Sequence, residues 1–184
     1  YCLKLKDVNL PQSLLSIGYN AFSSCSILEN ISIPPSLKEL GEAIFEYSGL
    51  KEIRIPDGIN EIPPFCFNEC KALSDIYIPP TVTKIGEYAF HRSGIRSIDL
   101  PSSIVSIGEK AFSFCKGLKC VMLGNGIKEI GDSAFNSCSA LQSIYLPDSL
   151  EHIGKETFSY CYRLKEIELP ESIKVIEKKA FWHC

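Results

Sequence analysis

The sequence predicts an α/β, strongly β-rich repeat solenoid of about eight repeats of 22–23 residues, with two short strands and a helical or 3-10 turn in each repeat. Two columns of residues in phase with each other carry this prediction. The first column is proline, with Gly124 in the one repeat that lacks it: Pro11, Pro34, Pro56, Pro79, Pro101, Pro147 and Pro170. The second column is phenylalanine: Phe22, Phe45, Phe67, Phe90, Phe112, Phe135, Phe158 and Phe181. Because no single repeat can bury its apolar face alone, stacking must supply the core.

The first predicted strand lies directly before the proline. Apolar and polar residues alternate there, as in Ile31-Ser32-Ile33, Ile53-Arg54-Ile55 and Ile76-Tyr77-Ile78. This alternation is typical of a half-buried strand whose isoleucines point inward. Proline then ends the strand, because it has no N–H to donate to a neighbouring strand.

The second strand and a turn complete each repeat. The segment Val82-Thr83-Lys84-Ile85-Gly86 is short and rich in β-branched residues, which favours a small strand that ends at the glycine. The segment Glu109-Lys110-Ala111-Phe112 favours one turn of α-helix or 3-10 helix at a corner, with the phenylalanine inward.

Two repeats are one residue shorter than the others, and the deletion falls after the phenylalanine in both. Ser48-Gly49 and Ser93-Gly94 replace the longer cysteine-containing segment of the other repeats. Since glycine tolerates a tighter turn, the deletion marks a corner of the coil.

Composition excludes several classes of protein. The chain has 184 residues, 45% of them apolar, and a net charge of -3, so it is neither disordered nor a generic cationic nucleic-acid binder. No apolar run approaches the roughly 20 residues of a membrane-spanning helix. We expect residues 1–184 to form a single solenoid that is part of a longer repeat protein. A polar capping repeat is missing at both ends, so end-to-end self-association is the alternative.

The working consensus L-x-x-I-x-I-P-x-S-L-x-x-I-G-x-x-A-F-x-x-C resembles the BspA-like leucine-rich-repeat family of bacterial and protist surface proteins, over the whole chain. The resemblance implies a right-handed leucine-rich-repeat solenoid, horseshoe-like, that binds macromolecules and acts as an adhesin in several members. It supplies no catalytic residues. Departures are local: Gly124 for Pro, Pro63 and Glu177 for Gly, Ile44, Cys66 and Thr157 for Ala, and Ser48 and Ser93 for Cys.

Seven of the nine cysteines share one column of the repeat: Cys2, Cys25, Cys70, Cys115, Cys138, Cys161 and Cys184. Side chains in one column point parallel to each other, so we predict buried free thiols rather than disulfides. Cys66 replaces a small alanine and is also predicted to pack inward. Cys120 precedes Val121 at an outward strand position and is the candidate reactive thiol. Cysteine and histidine spacings favour no metal site.

Outward strand positions are where a partner would bind, because packing occupies the inward ones. They carry Asp7, Glu52, Asp75, Asp99, Glu166 and Glu168 against a single basic residue, Arg54. The concave face is therefore predicted to be acidic. Basic residues lie in the row just before it, at the margin of the sheet: Lys6, Lys51, Arg96, Lys119 and Lys165.

A partner-binding patch is predicted on that face. Its residues are Tyr77, Asp99, Met122 and Tyr145 on consecutive repeats, with Asp75 and Arg54 beside them. Tyrosine and methionine are enriched in the cores of interfaces. The alternative is that tyrosine is simply a strong strand former at exposed positions.

The predicted function is a non-catalytic protein-binding or adhesion module that presents a concave β-sheet to a protein ligand, such as a host extracellular-matrix or cell-surface protein. Neither a cofactor, nor nucleic acid, nor membrane insertion is expected. The resemblance places the protein at the cell surface or outside the cell. An intracellular, cytoplasmic leucine-rich-repeat scaffold is the alternative, and free thiols suit it equally well. A carbohydrate-active enzyme using carboxylates such as Asp99 and Glu166 ranks last. The segment Asn30-Ile31-Ser32 is a glycosylation sequon on the same face.

Overall fold

A computed structural model describes residues 2–184, which form a parallel β-solenoid of about seven turns. Eight strands have two residues each: β1 (Ser16–Ile17), β2 (Glu39–Leu40), β4 (Glu61–Ile62), β6 (Lys84–Ile85), β8 (Ser106–Ile107), β10 (Glu129–Ile130), β12 (His152–Ile153) and β13 (Val175–Ile176). Five have three residues: β3 (Glu52–Arg54), β5 (Asp75–Tyr77), β7 (Ser97–Asp99), β9 (Cys120–Met122) and β11 (Ser143–Tyr145). The two predicted strands of each repeat are therefore present in five of the eight repeats.

The two-residue strands pair in parallel with their equivalents in the next repeat. β4, β6, β8, β10, β12 and β13 form one six-stranded sheet, and β1 and β2 form a separate pair. In this column the glycine N–H donates to the preceding repeat, as from Gly108 N to the Ile85 oxygen at 2.9 Å. Pro63 stands at the same position in the third repeat and has no N–H. The ladder is consequently interrupted between β2 and β4, although the coil continues.

The three-residue strands form a second, more interrupted face, which we call the strand face. β3 pairs with β5, and β7, β9 and β11 form a three-stranded parallel sheet. The prediction of a strand at Ile31-Ser32-Ile33 was wrong, because residues 31–33 pair with no neighbour. The breaks before β3 and before β7 coincide with the shortened turns at Ser48-Gly49 and Ser93-Gly94. At the junction of the second and third repeats, both ladders are broken.

The predicted helical or 3-10 turn is absent from the described residues, and a run of hydrogen-bonded turns takes its place. Along this segment, every second N–H group donates to a carbonyl within the same turn, and the N–H groups between them donate to carbonyls of the next repeat. Ala111 N donates to the Gly108 oxygen at 3.3 Å, whereas Phe112 N donates to the Ala134 oxygen at 2.8 Å. Two residues per turn, such as Lys110 (φ 51°) and Phe114 (φ 58°), adopt left-handed backbone conformations. A helix would keep every N–H within the segment, so bonding between repeats excludes it.

The phenylalanines point inward, as predicted, and form a continuous stack through the core. Seven successive ring pairs have centroids 5.0–5.8 Å apart and planes within 14° of parallel. The six central rings, from Phe45 to Phe158, are fully buried. Isoleucine and leucine from both strands surround the stack, so one apolar core runs the length of the coil.

The cysteine column lies beside this stack, and its thiols are free and hydrogen-bonded. Four of its buried members donate to the carbonyl oxygen of the phenylalanine one repeat earlier: Cys70 to Phe45 and Cys115 to Phe90, both at 3.0 Å, Cys138 to Phe112 at 3.1 Å and Cys161 to Phe135 at 3.3 Å. Burial is the main cause that raises the pKa of Cys70 and Cys161 to about 12 and that of Cys115 to about 11. The end members Cys2 and Cys184 are exposed, so the prediction of burial holds only for the interior of the column.

Replacing Gly108 with alanine should destabilise the protein, because neighbouring repeats approach closely there. A Cβ at Gly108 would lie 2.7 Å from Glu87 N and 2.8 Å from the Gly86 carbonyl carbon. We expect a loss of about 1–3 kcal/mol in the free energy of unfolding, measured by urea denaturation. Gly18 occupies the same column with nothing within 4 Å of its Cβ position, so Gly18→Ala is the matched control and should cost nothing. Equal losses in both variants would show that this approach does not limit the fold.

Alkaline pH should destabilise the protein through the buried thiols. Between 9.0, the ordinary pKa of a cysteine thiol, and the raised pKa values in the fold, the unfolded chain loses thiol protons that the folded chain keeps. The free energy of unfolding should therefore fall as pH rises from 9, by up to about 1.4 kcal/mol per pH unit and thiol. We would measure the free energy of unfolding by urea titration at each pH under reducing conditions. After correction for the difference in stability between the two proteins at pH 7, this free energy should fall less steeply with pH for the Cys115→Ser, Cys138→Ser double variant than for the unmodified protein. Parallel pH profiles would contradict this origin of the alkaline sensitivity.

Candidate partner-binding faces

The predicted patch residues all lie on the strand face with exposed side chains. Asp75 and Tyr77 are the first and last residues of β5. The other four are the last residues of their strands: Arg54 of β3, Asp99 of β7, Met122 of β9 and Tyr145 of β11. Tyr77 is 39% exposed, Met122 49% and Tyr145 50%, so all three offer large apolar surfaces to a partner. The central residue of each strand points inward, so the period-two alternation positions these side chains.

The structure divides the patch into two clusters, because β5 and β7 are not hydrogen-bonded to each other. In the first cluster the Arg54 guanidinium carbon lies 3.7 Å from the centroid of the Tyr77 ring, a cation–π contact between paired positions. In the second, Asp99, Met122 and Tyr145 are register partners on consecutive strands. The sequence predicted the column but not the break across it.

Two shallow grooves flank the clusters where the strand ladder is interrupted. A groove of about 680 Å³ lies over the break before β3 and is lined by Asn30, Glu52, Asp57, Asp75 and Tyr77 among others. A second, of about 450 Å³, lies over the break after β11 and is lined by Met122, Tyr145, Asp148, Glu166 and Glu168 among others. Each groove therefore combines carboxylates with at least one exposed aromatic ring.

The strand face is acidic, and its carboxylates have no cationic partners within the described part of the chain. Asp7, Glu52, Asp75, Asp99, Glu166 and Glu168 are exposed. The salt bridges found in residues 2–184 lie on other surfaces and involve none of them. These charges are therefore free to attract a basic partner.

The carboxylates considered for hydrolysis, with their neighbours Asp75 and Glu168, lie on an open face with shallow grooves rather than in a deep cleft. Asp75 and Asp99 lie on β5 and β7, which do not pair, and Glu166 and Glu168 lie in a segment outside any strand. Cys120 is half-exposed on β9, where its sulfur accepts a hydrogen bond from the Ser143 hydroxyl at 3.6 Å. Asn30 of the sequon is exposed beside the larger groove.

A third groove was not predicted from the sequence, because no single motif marks it. It measures about 410 Å³ and lies on the turns that follow the phenylalanines, lined by Glu69, Lys71, Arg92, Phe114 and Lys116 among others. The side chain of Glu69 is almost buried. Its carboxylate oxygens form ion pairs with an Arg92 guanidinium nitrogen at 2.8 Å and with Lys71 Nζ at 3.1 Å. Burial alone would raise the pKa of Glu69, but hydrogen bonds from Arg92 and Lys71 outweigh it and hold that pKa below its usual value.

Two further properties of residues 2–184 bear on function. Nowhere in this range do three His, Cys, Asp or Glu side chains come together as potential ligands of one metal ion. The same range contains no helix that is long and apolar enough to span a membrane.

Comparison with known families gives one match that covers the chain. A family described as "BspA type Leucine rich repeat region (6 copies)" matches residues 1–119 and 83–184. No protein with a curated description matches the chain.

Among solved structures, a leucine-rich-repeat protein of T. pallidum is 30% identical, with a TM-score of 0.76 over 83% of this chain and 72% of that one. A leucine-rich cell surface protein of Faecalibacterium prausnitzii is 24% identical, with a TM-score of 0.58 over 92% of this chain and 61% of its own. The pneumococcal vaccine antigen PcpA is 22% identical, with a TM-score of 0.64 over 94% of this chain and 52% of its own. The last two share the fold, and this chain spans little more than half of their lengths.

Thiol labelling should separate Cys120 from the buried cysteines. The Cys2→Ser, Cys184→Ser variant lacks the two exposed end cysteines and keeps seven thiols. Six of these are buried, so a maleimide should modify only Cys120 in the native protein. Peptide mass spectrometry should place the label on Cys120, and Cys120→Ser should abolish native labelling. Rapid labelling of a column cysteine would contradict the packing described above.

Proposed function

Because the chain belongs to the BspA-type leucine-rich-repeat family, we propose that it is a non-catalytic protein-binding or adhesion module that offers its strand face to a macromolecular partner. The supporting observation is the exposure of Tyr77, Met122 and Tyr145 among carboxylates that lack cationic partners. Packing fixes the inward positions of every repeat, so outward positions carry whatever specificity the protein has.

The chemistry of the strand face favours a basic or polar protein partner. Tyrosine and methionine supply large contact areas in the cores of interfaces. The surrounding carboxylates would steer a Lys- or Arg-rich segment toward the grooves and disfavour acidic partners. The Arg54–Tyr77 contact holds one aromatic ring in place before binding, which lowers the entropy lost on association.

A location at the cell surface or outside the cell fits this proposal. Two proteins of the same fold are described as a cell surface protein and as a vaccine antigen. Host extracellular-matrix or cell-surface proteins are then the partners that we propose to test first. End-to-end association between copies is a separate possibility that light scattering at high protein concentration would address.

An intracellular scaffold is the second candidate, and the free cysteines suit it equally well. All nine are free, and six of them are buried as thiols, as expected in a reducing compartment. Surface proteolysis of intact cells would separate the two locations. Leucine-rich-repeat families are generally non-catalytic, and we propose no enzymatic activity for this chain.

Removing the two strand-face tyrosines should weaken partner binding. Biolayer interferometry against a panel of extracellular-matrix proteins and a Lys/Arg-rich peptide should identify a binder. The Tyr77→Ala, Tyr145→Ala double variant should then lose at least about tenfold in affinity, as expected when residues at the centre of an interface are truncated.

The matched control is Tyr19→Ala, Tyr162→Ala, which removes two tyrosines that are 70% and 64% exposed away from the strand face. It should retain affinity within about twofold, a change too small for a central contact. Equal losses in the two double variants, or none in either, would remove the strand face as the binding surface.

A further inference from the structure

The charges of this chain are segregated by position within the repeat. We define the basic edge as the segments that lead from each phenylalanine turn to the next strand: residues 2–6, 24–29, 47–51, 69–74, 92–96, 114–119, 137–142 and 160–165. Ten of the 19 Lys and Arg residues lie on it, but only two of the 22 Asp and Glu residues. The ten are Lys4, Lys6, Lys51, Lys71, Arg92, Arg96, Lys116, Lys119, Arg163 and Lys165, and all are exposed. An acidic protein thus carries one strongly basic edge.

The two acids on this edge are already neutralised. Glu29 pairs with Lys51 at 2.7 Å, and Glu69 is held by Arg92 and Lys71. Arg96, Lys116 and Lys119 form no salt bridge within residues 2–184. A net positive surface therefore remains after the internal pairs are made.

The middle of the edge concentrates these charges on three consecutive turns, and we call Lys71, Arg92, Arg96, Lys116 and Lys119 the central basic patch. A backbone hydrogen bond of 2.8 Å from Lys119 N to the Arg96 oxygen sets these two residues side by side. Lys71, Arg92 and Lys116 line the third groove, and the Arg92 guanidinium carbon lies 5.2 Å from the centroid of the Phe114 ring, which also lines it. The patch thus follows the coil axis as a narrow basic strip with a groove along it.

Folding does not require this arrangement. Ser74 and Gln142 occupy the same column as Arg96 and Lys119, so uncharged residues satisfy its packing and hydrogen bonds. Like charges side by side on neighbouring strands are destabilising. The next column along the chain, the first outward position of the strand face, is uncharged beside the patch, at Ser97 and Cys120, although acids occupy it in several other repeats. Arg96 and Lys119 therefore place two positive charges side by side, which costs stability and which packing does not require. This indicates that the charges serve in binding.

We propose that the central basic patch binds a sulfated polysaccharide chain lying along the coil axis, at a surface distinct from the strand face. Closely spaced sulfates on a narrow linear polymer match cations repeated on successive turns, and guanidinium groups bind such oxyanions through two hydrogen bonds at once. A nucleic-acid duplex is broader and would also meet the acidic strand face. Single-stranded nucleic acid needs several stacking platforms, whereas Phe114 is the one aromatic side chain among the described residues that line the third groove.

The test is binding of a size-defined heparin oligosaccharide, measured by isothermal titration calorimetry, together with elution from a heparin column in a NaCl gradient. We expect binding that weakens steeply with salt. The Arg96→Glu, Lys119→Glu variant should lose at least about tenfold in affinity and elute at lower salt, because two contacts become repulsive. Arg92 is left unchanged because it neutralises the nearly buried Glu69.

The control variant is Lys128→Glu, Lys155→Glu, which makes the same change in net charge at exposed lysines outside the basic edge. It should bind within about twofold of the unmodified protein, since its charges lie away from the oligosaccharide. Equal losses in both variants, or no binding by the unmodified protein, would overturn the proposal. So would binding of desulfated heparin with equal affinity, or equally tight binding of single-stranded DNA that depends on Arg96 and Lys119. None of these outcomes bears on the strand-face proposal, whose test uses other residues.

Discussion

The stacking of one phenylalanine ring on the next is the contact on which the rest of this structure depends. Rings whose centroids are 5.0–5.8 Å apart match the separation of about 4.8 Å between hydrogen-bonded strands, so side-chain stacking and backbone pairing are satisfied by the same rise per turn. The glycine column permits this close approach, and cysteine thiols tie five of the phenylalanine carbonyls to the following repeat. A repeat of 22–23 residues has no comparable core of its own, so stability comes from its neighbours.

The residues that stabilise the fold and those available for recognition occupy different columns of the repeat. Inward columns must repeat, whereas each outward column can take its own charge without disturbing the stack. The strand face has become acidic and the basic edge cationic, although only a few residues separate them along the chain. Two surfaces of opposite sign can thus share one scaffold, and the same packing supports both.

The sequence predicted the repeat, its period, the inward phenylalanines and the exposure of Tyr77, Met122 and Tyr145, because each is a property of one column. It failed where the outcome depends on contacts between repeats. The prediction of a helical turn around Lys110 was wrong because every second N–H group there donates to a carbonyl of the next repeat instead of one within its own segment. Pro63 and the shortened turn at Ser48-Gly49 looked harmless in the consensus, yet they interrupt both ladders. The basic edge was missed because only its last row was compared with the acids of the strand face.

The double interruption at the junction of the second and third repeats gives this coil a built-in point of mechanical weakness. Elsewhere at least one strand ladder crosses each junction between β3 and β13. Here the connection consists of the apolar core with its Phe45–Phe67 ring stack and of hydrogen bonds in the turns, including Phe45 N to the Cys66 oxygen at 3.0 Å. A protein that tethers two bodies experiences tension along its axis, and a rod yields first where fewest bonds share the load. Under such tension we expect this coil to part at that seam before the remaining turns unwind, which would widen the larger groove that lies there.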